Sequence, residues 1–180
     1  EADNDISILE VPTNEVPRLS KLLQVAKVPL LSKSIAIQVI DSEPGIVNQD
    51  LSEKVKRSLI YFARLVYTKR QTDFENAMIK GLFVALRNFD VVEVTDVKLS
   101  VNLHNIDHET TTDIAITNTR LLYREGTKSL KDRIAKQLCE YLGIYDDLED
   151  AFARILTESN DNSIEEYLSV KHIRELPQDI

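Results

Sequence analysis

From Val97 to His104 apolar and polar residues alternate, with Val97, Leu99, Val101 and Leu103 on one side and Lys98, Ser100, Asn102 and His104 on the other. A period of two marks a strand with one buried face and one wet face. The strand predicted here begins near Val91 and ends near His104, and the polar run Asn105–Thr111 reads as the loop after it. Ile114 and Ile116 mark a second strand, Asn118-Thr119 a tight turn, and Leu121-Leu122-Tyr123 a third. Consecutive strands usually lie side by side, so an antiparallel meander is the simplest arrangement.

Outside this stretch the period is mostly helical. Pro17 suits a first helical turn, Leu19, Leu22, Leu23 and Ala26 follow as a short stripe, and Pro29 ends it. Ile35, Ile37 and Val39 predict a short strand, closed by a turn over Asp41-Ser42-Glu43-Pro44-Gly45. Asp50 with Glu53 has the form of a capping box, and Leu51, Val55, Leu59, Phe62 and Val66 make the stripe of the helix behind it. Thr72 with Glu75 repeats the device ahead of Phe74, Ala77, Met78, Gly81, Leu82 and Ala85. Gly81 falls inside that helix, where it costs about 1 kcal/mol against Ala. Close approach of a neighbouring element is the expected compensation. Three more helices are predicted near the C-terminus. Ser129 with Asp132 opens the first, Leu130, Ile134, Leu138 and Leu142 line it, and Gly143 ends it. Leu148, Phe152, Ile155 and Leu156 define the second. Ser163 with Glu166 opens the third, which buries Ile164, Tyr167 and Leu168.

The fold class read from these periods is α+β: a small antiparallel sheet of about three strands within residues 91–124, flanked by helices, in a helix-rich chain. Residues 1–48 read as an N-terminal arm with a short helix and a strand, and residues 49–180 as the helical pair, the meander and the C-terminal helices. Together they make one compact domain with its arm, a size that 180 residues allow.

Composition narrows the function without naming it. With 43% hydrophobic and 29% charged residues the chain is an ordinary globular one. A net charge of −8 argues against a general nucleic-acid binder. The charge is uneven: residues 50–89 carry eight basic residues against four acids, while residues 140–180 carry three against eleven. Surfaces of opposite sign attract one another or orient a partner, although charge runs are more often solvated helix faces. The single Cys139 excludes an internal disulfide and fits a reducing, intracellular location; beside Leu138 it reads as a small buried hydrophobe. No apolar run reaches the roughly 20 residues of a membrane span, so no membrane partner is expected. The start at Glu1-Ala2, without Met, is consistent with a piece of a longer protein.

Two constellations have the residue types for chemistry. His104 and His108, with Asp107 and Glu109, are metal-ligand types, but they fall on a strand end and a loop rather than one helix face. Asp96-Val97-Lys98, with Asp90 and Glu93 before it, echoes the Asp-x-Lys strand of metal-dependent nucleases. Asp96 and Lys98 also lie on the wet side of their strand, which explains them without chemistry. No Gly-rich phosphate loop or Gly-x-Ser-x-Gly elbow occurs. No catalytic residue, cofactor site or metal site is assigned.

The order of pieces carries a resemblance. Leu22-Leu23-Gln24-Val25-Ala26-Lys27-Val28-Pro29-Leu30-Leu31-Ser32 resembles an element that follows the ATP-binding domain in sacsin-like and NO VEIN-like proteins. In those proteins a helical pair, strands like 94–103, 113–116 and 121–123, and a helix like 130–142 come next. The resemblance implies a GHKL-type ATPase upstream and a chaperone-like or regulatory parent. It carries no catalytic residue onto this chain, because the family's Asn/Glu helix and Asp-x-Gly-x-Gly loop have no match here. The expected function is a non-catalytic module that docks other domains of the same protein, or protein partners. The alternatives are a nuclease-like domain using Asp96 and Lys98, and a stand-alone adaptor that receives a ligand strand on Lys98, Ser100 and Asn102 or on a sheet edge.

Overall fold

The computed structural model describes residues 35–41, 44–103, 106–144 and 148–177. Residues 1–34 of the N-terminal arm, with the Pro17 helix and the stretch 22–32, and His104 lie outside the described residues. By internal contacts the chain divides into Glu1–Gln38 with Ser100–His108, and Val39–Leu99 with Glu109–Ile180. The limits of this division fall within three strands, Ile35–Ile40, Val97–Leu103 and Ile106–Thr112.

The described elements are β1 (Ile35–Ile40), β2 (Ile46–Val47), α1 (Gln49–Lys69), α2 (Gln71–Ile79), α3 (Leu82–Arg87), β3 (Asp90–Val94), β4 (Val97–Leu103), β5 (Ile106–Thr112), β6 (Ile114–Ile116), β7 (Arg120–Arg124), α4 (Leu130–Leu142), α5 (Glu149–Thr157) and α6 (Asp161–Val170). The class is α+β, with small sheets and helices. Two sheets form, of order β1-β4-β5 and β2-β3-β7-β6.

The details of the strands differ from expectation. The predicted strand 91–104 is two strands, β3 and β4, in different sheets. The predicted loop Asn105–Thr111 is mostly the strand β5. The hairpin of β6 and β7 is antiparallel as expected, but β3 runs parallel to β7, so the four-stranded sheet is mixed rather than a meander. The physical reason lies in β3 and β7. Val91-Val92 and Leu121-Leu122 are buried in succession, so both faces of the sheet are covered, the usual condition of parallel pairing. Across one face run Val91, Leu121 and Ile116, and across the other Val92, Leu122 and Ala115. The first face joins the main core with the helices, and the second packs with Val94, Val97, Val39 and Leu99.

The helices bury the stripes that their spacing announces. Val55, Leu59, Phe62 and Val66 are buried on α1, and Ile134, Leu138 and Leu142 on α4. Phe62 and Phe152 stack with ring centroids 4.1 Å apart and planes 7° from parallel, fastening α1 to α5. Cys139 is buried as expected. Gly143 ends α4 in the left-handed conformation, also as expected.

The caps are less well anticipated. The cap of α1 is Asn48, whose side-chain oxygen accepts from the Leu51 N–H at 3.1 Å, and Asp50 sits in the first turn. α2 starts one residue before Thr72 with no side-chain cap. Ser129 makes no cap bond, and α6 is capped by Asn160, which accepts from Ser163 N–H at 2.8 Å. The predicted helix through Gly81 is broken there into α2 and α3. Gly81 has φ +67°, and a Cβ placed on it would meet nothing within 4 Å. A left-handed turn, not close packing, is what that glycine supplies.

Arg64 is the one charged residue buried in this frame among the described residues. Its side chain is 7% exposed and binds the exposed carboxylates of Glu165 at 2.6 Å and Glu175 at 2.7 Å, while its Nε donates to the Arg174 carbonyl at 3.3 Å. Removing both carboxylates leaves a buried cation with one weak acceptor. The double variant Glu165→Ala/Glu175→Ala is therefore expected to lose about 2–3 kcal/mol, more than the two single variants together. Urea denaturation of the four-member cycle measures this.

Candidate functional site

Asp96 is exposed in the bend between β3 and β4, Lys98 is half-buried on β4, and His108 is exposed on β5. The acids that a nuclease reading would recruit are occupied: Asp90 pairs with Lys56 at 3.2 Å, and Glu93 accepts from Tyr123. Among the described residues no group of three or more His, Cys, Asp or Glu side chains is placed to hold a metal ion. Ser100 and Asn102, expected on a wet face, are half-buried like Lys98.

Another set of residues converges at the edge of the four-stranded sheet. The register aligns Ile46 with Glu93, Glu93 with Tyr123, and Tyr123 with Ile114, so these four share one face of the sheet. The Tyr123 hydroxyl donates to Glu93 Oε2 at 2.6 Å and accepts from Asn48 Nδ2 at 3.0 Å. Asn48 thus serves twice, capping α1 with its oxygen and holding Tyr123 with its amide. Ser52 completes the joint: its Oγ accepts from the Val91 N–H at 2.8 Å and donates to the Asn48 carbonyl at 2.8 Å. The Asn48 N–H reaches the Val91 carbonyl at 2.8 Å. The start of α1 therefore continues the pairing of β3 where β2 stops.

Tyr123 is 3% exposed, and its hydroxyl titrates above the ordinary tyrosine range. Burial is the main cause, followed by the hydrogen bond to Glu93; the Asn48 amide works in the opposite sense. Tyr61 and Tyr141 are raised as well, again chiefly by burial. A raised pKa means that the folded state favours the neutral phenol. That contribution is complete below the ordinary tyrosine pKa, about 10, and disappears as pH rises through the folded value. Stability is thus expected to fall above about pH 10. Tyr123→Phe should cost about 1–2 kcal/mol at neutral pH, because Glu93 and the Asn48 amide lose their common partner. The same variant should soften the alkaline loss. Guanidine denaturation at pH 7 and at alkaline pH reads both.

What this lock presents outward is β2. Ile46 is 74% exposed and Val47 is 37% exposed. Ile46 lies between two shallow hollows, one bordered by Asp50 and Glu93, the other by Glu93 and Glu125. The arrangement holds one carboxylate rigidly beside an exposed apolar side chain on a strand edge. It sets hydrogen-bond acceptors beside exposed apolar area. The chain matches no family model, no curated protein and no solved structure. Among the described residues no helix is long and apolar enough to cross a membrane.

Sequence reasoning missed Asn48, Ile46, Val47 and Tyr123, and met Glu93 only as an adjunct to Asp96. One signal was present. Glu93 is the single charge in Val91-Val92-Glu93-Val94, and a charge in an apolar strand needs a partner.

Proposed function

We propose that this chain is a non-catalytic interaction module, docking other domains of a larger protein or a protein partner. The observation that carries the reading is the exposed Ile46 on the two-residue edge strand β2, held in place by the Asn48–Tyr123–Glu93 lock. The internal use of charge elsewhere supports it: Arg64 binds two carboxylates, and Asp113 receives both Arg124 and Arg133. These groups brace elements against each other. The resemblance to sacsin-like and NO VEIN-like proteins adds an upstream GHKL-type ATPase, and an intracellular setting, to the proposal. An Asp-x-Gly-x-Gly loop in the parent sequence would support that part.

The test is site-specific photocrosslinking in cells that express the parent protein. A benzophenone amino acid at Ile46 should join one defined protein or domain, while the same group at the exposed Ile79 on α2 should not. Equal labelling from both positions counts against the reading. Nucleotide hydrolysis lost on a single substitution, or magnesium-dependent DNA cleavage lost on Asp96→Ala, would overturn it.

A further inference from the structure

Resting on that reading, we propose that the β2 edge accepts an extended peptide segment of alternating basic and apolar side chains, which adds to the four-stranded sheet as a fifth strand. The backbone sets the direction. In an antiparallel pair, successive residues turn their N–H and C=O groups alternately toward the partner and away from it. Ile46 pairs with Glu93 and Val47 with Val92, and the Asn48 N–H bonds the Val91 carbonyl. Ile46 and the Asn48 N–H therefore turn to β3, and Val47 turns its backbone groups to the edge that no described strand covers. β2 is the terminal strand in the order β2-β3-β7-β6.

The edge is short, which limits indiscriminate pairing. Gly45, at φ +61°, closes it on one side and the start of α1 on the other. Backbone bonds alone are too few to hold a ligand, so the side chains beside them decide what binds. Those side chains are Ile46 and the carboxylates of Asp50, Glu93 and Glu125. Among the described residues neither hollow is bordered by a Lys or Arg side chain. Arg120, which donates to the Pro44 carbonyl, is already paired with Asp41 at 2.7 Å. Among the described residues no basic side chain is paired with Asp50, Glu93 or Glu125. A basic segment meets this unbalanced charge, whereas an acidic segment is repelled. Alternation in the ligand puts apolar side chains on one face of the added strand and cations on the other.

The experiment titrates the isotopically labelled chain with acetyl-Lys-Val-Lys-Val-Lys-Val-amide and follows backbone amide signals by NMR. Shifts should concentrate at Ile46, Val47 and Glu93. Val47→Pro removes the outward N–H at an edge position that tolerates proline, so the fold persists while affinity falls by about tenfold, the value of one good hydrogen bond. Glu93→Gln should weaken binding by about threefold and reduce its salt dependence. Three results would each overturn the inference: equal binding of the peptide N-methylated at alternate residues, equal binding of the peptide with Glu in place of Lys, or self-association of the chain through β2 without peptide. None of them touches the photocrosslinking result at Ile46, so failure of the strand-addition idea remains separate from failure of the interaction-module reading.

Discussion

Gly45→Ala is expected to destabilise the chain by about 2–4 kcal/mol, out of proportion to the single methyl group it adds. Two costs combine. Gly45 has φ +61°, a conformation that L residues adopt with strain. A Cβ there would also lie 2.4 Å from Val92 Cγ1 and 2.7 Å from the Glu93 carbonyl oxygen. The carbonyl belongs to the β3 backbone and cannot step aside without disturbing the sheet. Gly81→Ala separates the costs, since its φ is +67° but nothing lies within 4 Å of the added carbon. That control should lose about 1–2 kcal/mol, the cost of an L residue in the left-handed region. Urea denaturation of both variants gives the difference, which measures the contact with β3. Equal losses would mean that Gly45 matters only for its turn. Because the clash falls on β3 beside Ile46, Gly45→Ala should also disturb the edge strand, whereas Gly81→Ala should leave it intact.

The helices were legible because their apolar residues recur at helical spacing and a single face meets the core. Leu130, Ile134, Leu138 and Leu142 needed no partner to be recognised. The sheet was harder, for reasons that particular residues show. Val92 and Val94 lie in one phase of a two-residue period, and Val97, Leu99, Val101 and Leu103 lie in the other. That slip at Thr95-Asp96 is the break between β3 and β4, and joining the segments hid it. The successive apolar residues of β3 and β7 carried a second signal, burial on both faces, which alternation does not capture. β5 had almost no apolar signal, since Ile106-Asp107-His108-Glu109-Thr110-Thr111-Thr112 earns its strand through threonine and pairing. Asn48 and Asp50 are both sound cap residues. The choice fell to Asn48 because its N–H also pairs with Val91, a contact between positions far apart in sequence. The candidate site was hidden for the same reason. Glu93, Tyr123 and Asn48 are ordinary until the parallel register of β3 and β7 brings them together.

Phe62→Ala and Phe152→Ala are each expected to cost about 3–5 kcal/mol, a large share of the 5–15 kcal/mol that holds a typical domain folded. Both rings are fully buried and lie face to face, so truncating either opens a void against the other. The surroundings cannot close it readily, because Phe62 sits midway along α1, where Leu59, Leu65 and Val66 are fixed by the same helix. The double variant should lose less than the sum, by about 0.5–1.5 kcal/mol, since the second truncation removes a ring that has already lost its stacking partner. Ile79→Ala supplies the scale: that side chain is 85% exposed, and its loss should stay within about 0.5 kcal/mol. Thermal and urea denaturation of the set decide the matter, and additive losses would mean that the two rings fill space independently. The outcome also bears on the proposed docking edge. α1 begins at Asn48, so loosening its middle weakens the support for Tyr123 and Glu93 at its start. A variant that still folds at low temperature should therefore hold β2 less firmly, which hydrogen exchange at Val91 and Asn48 would register as faster opening than in Ile79→Ala.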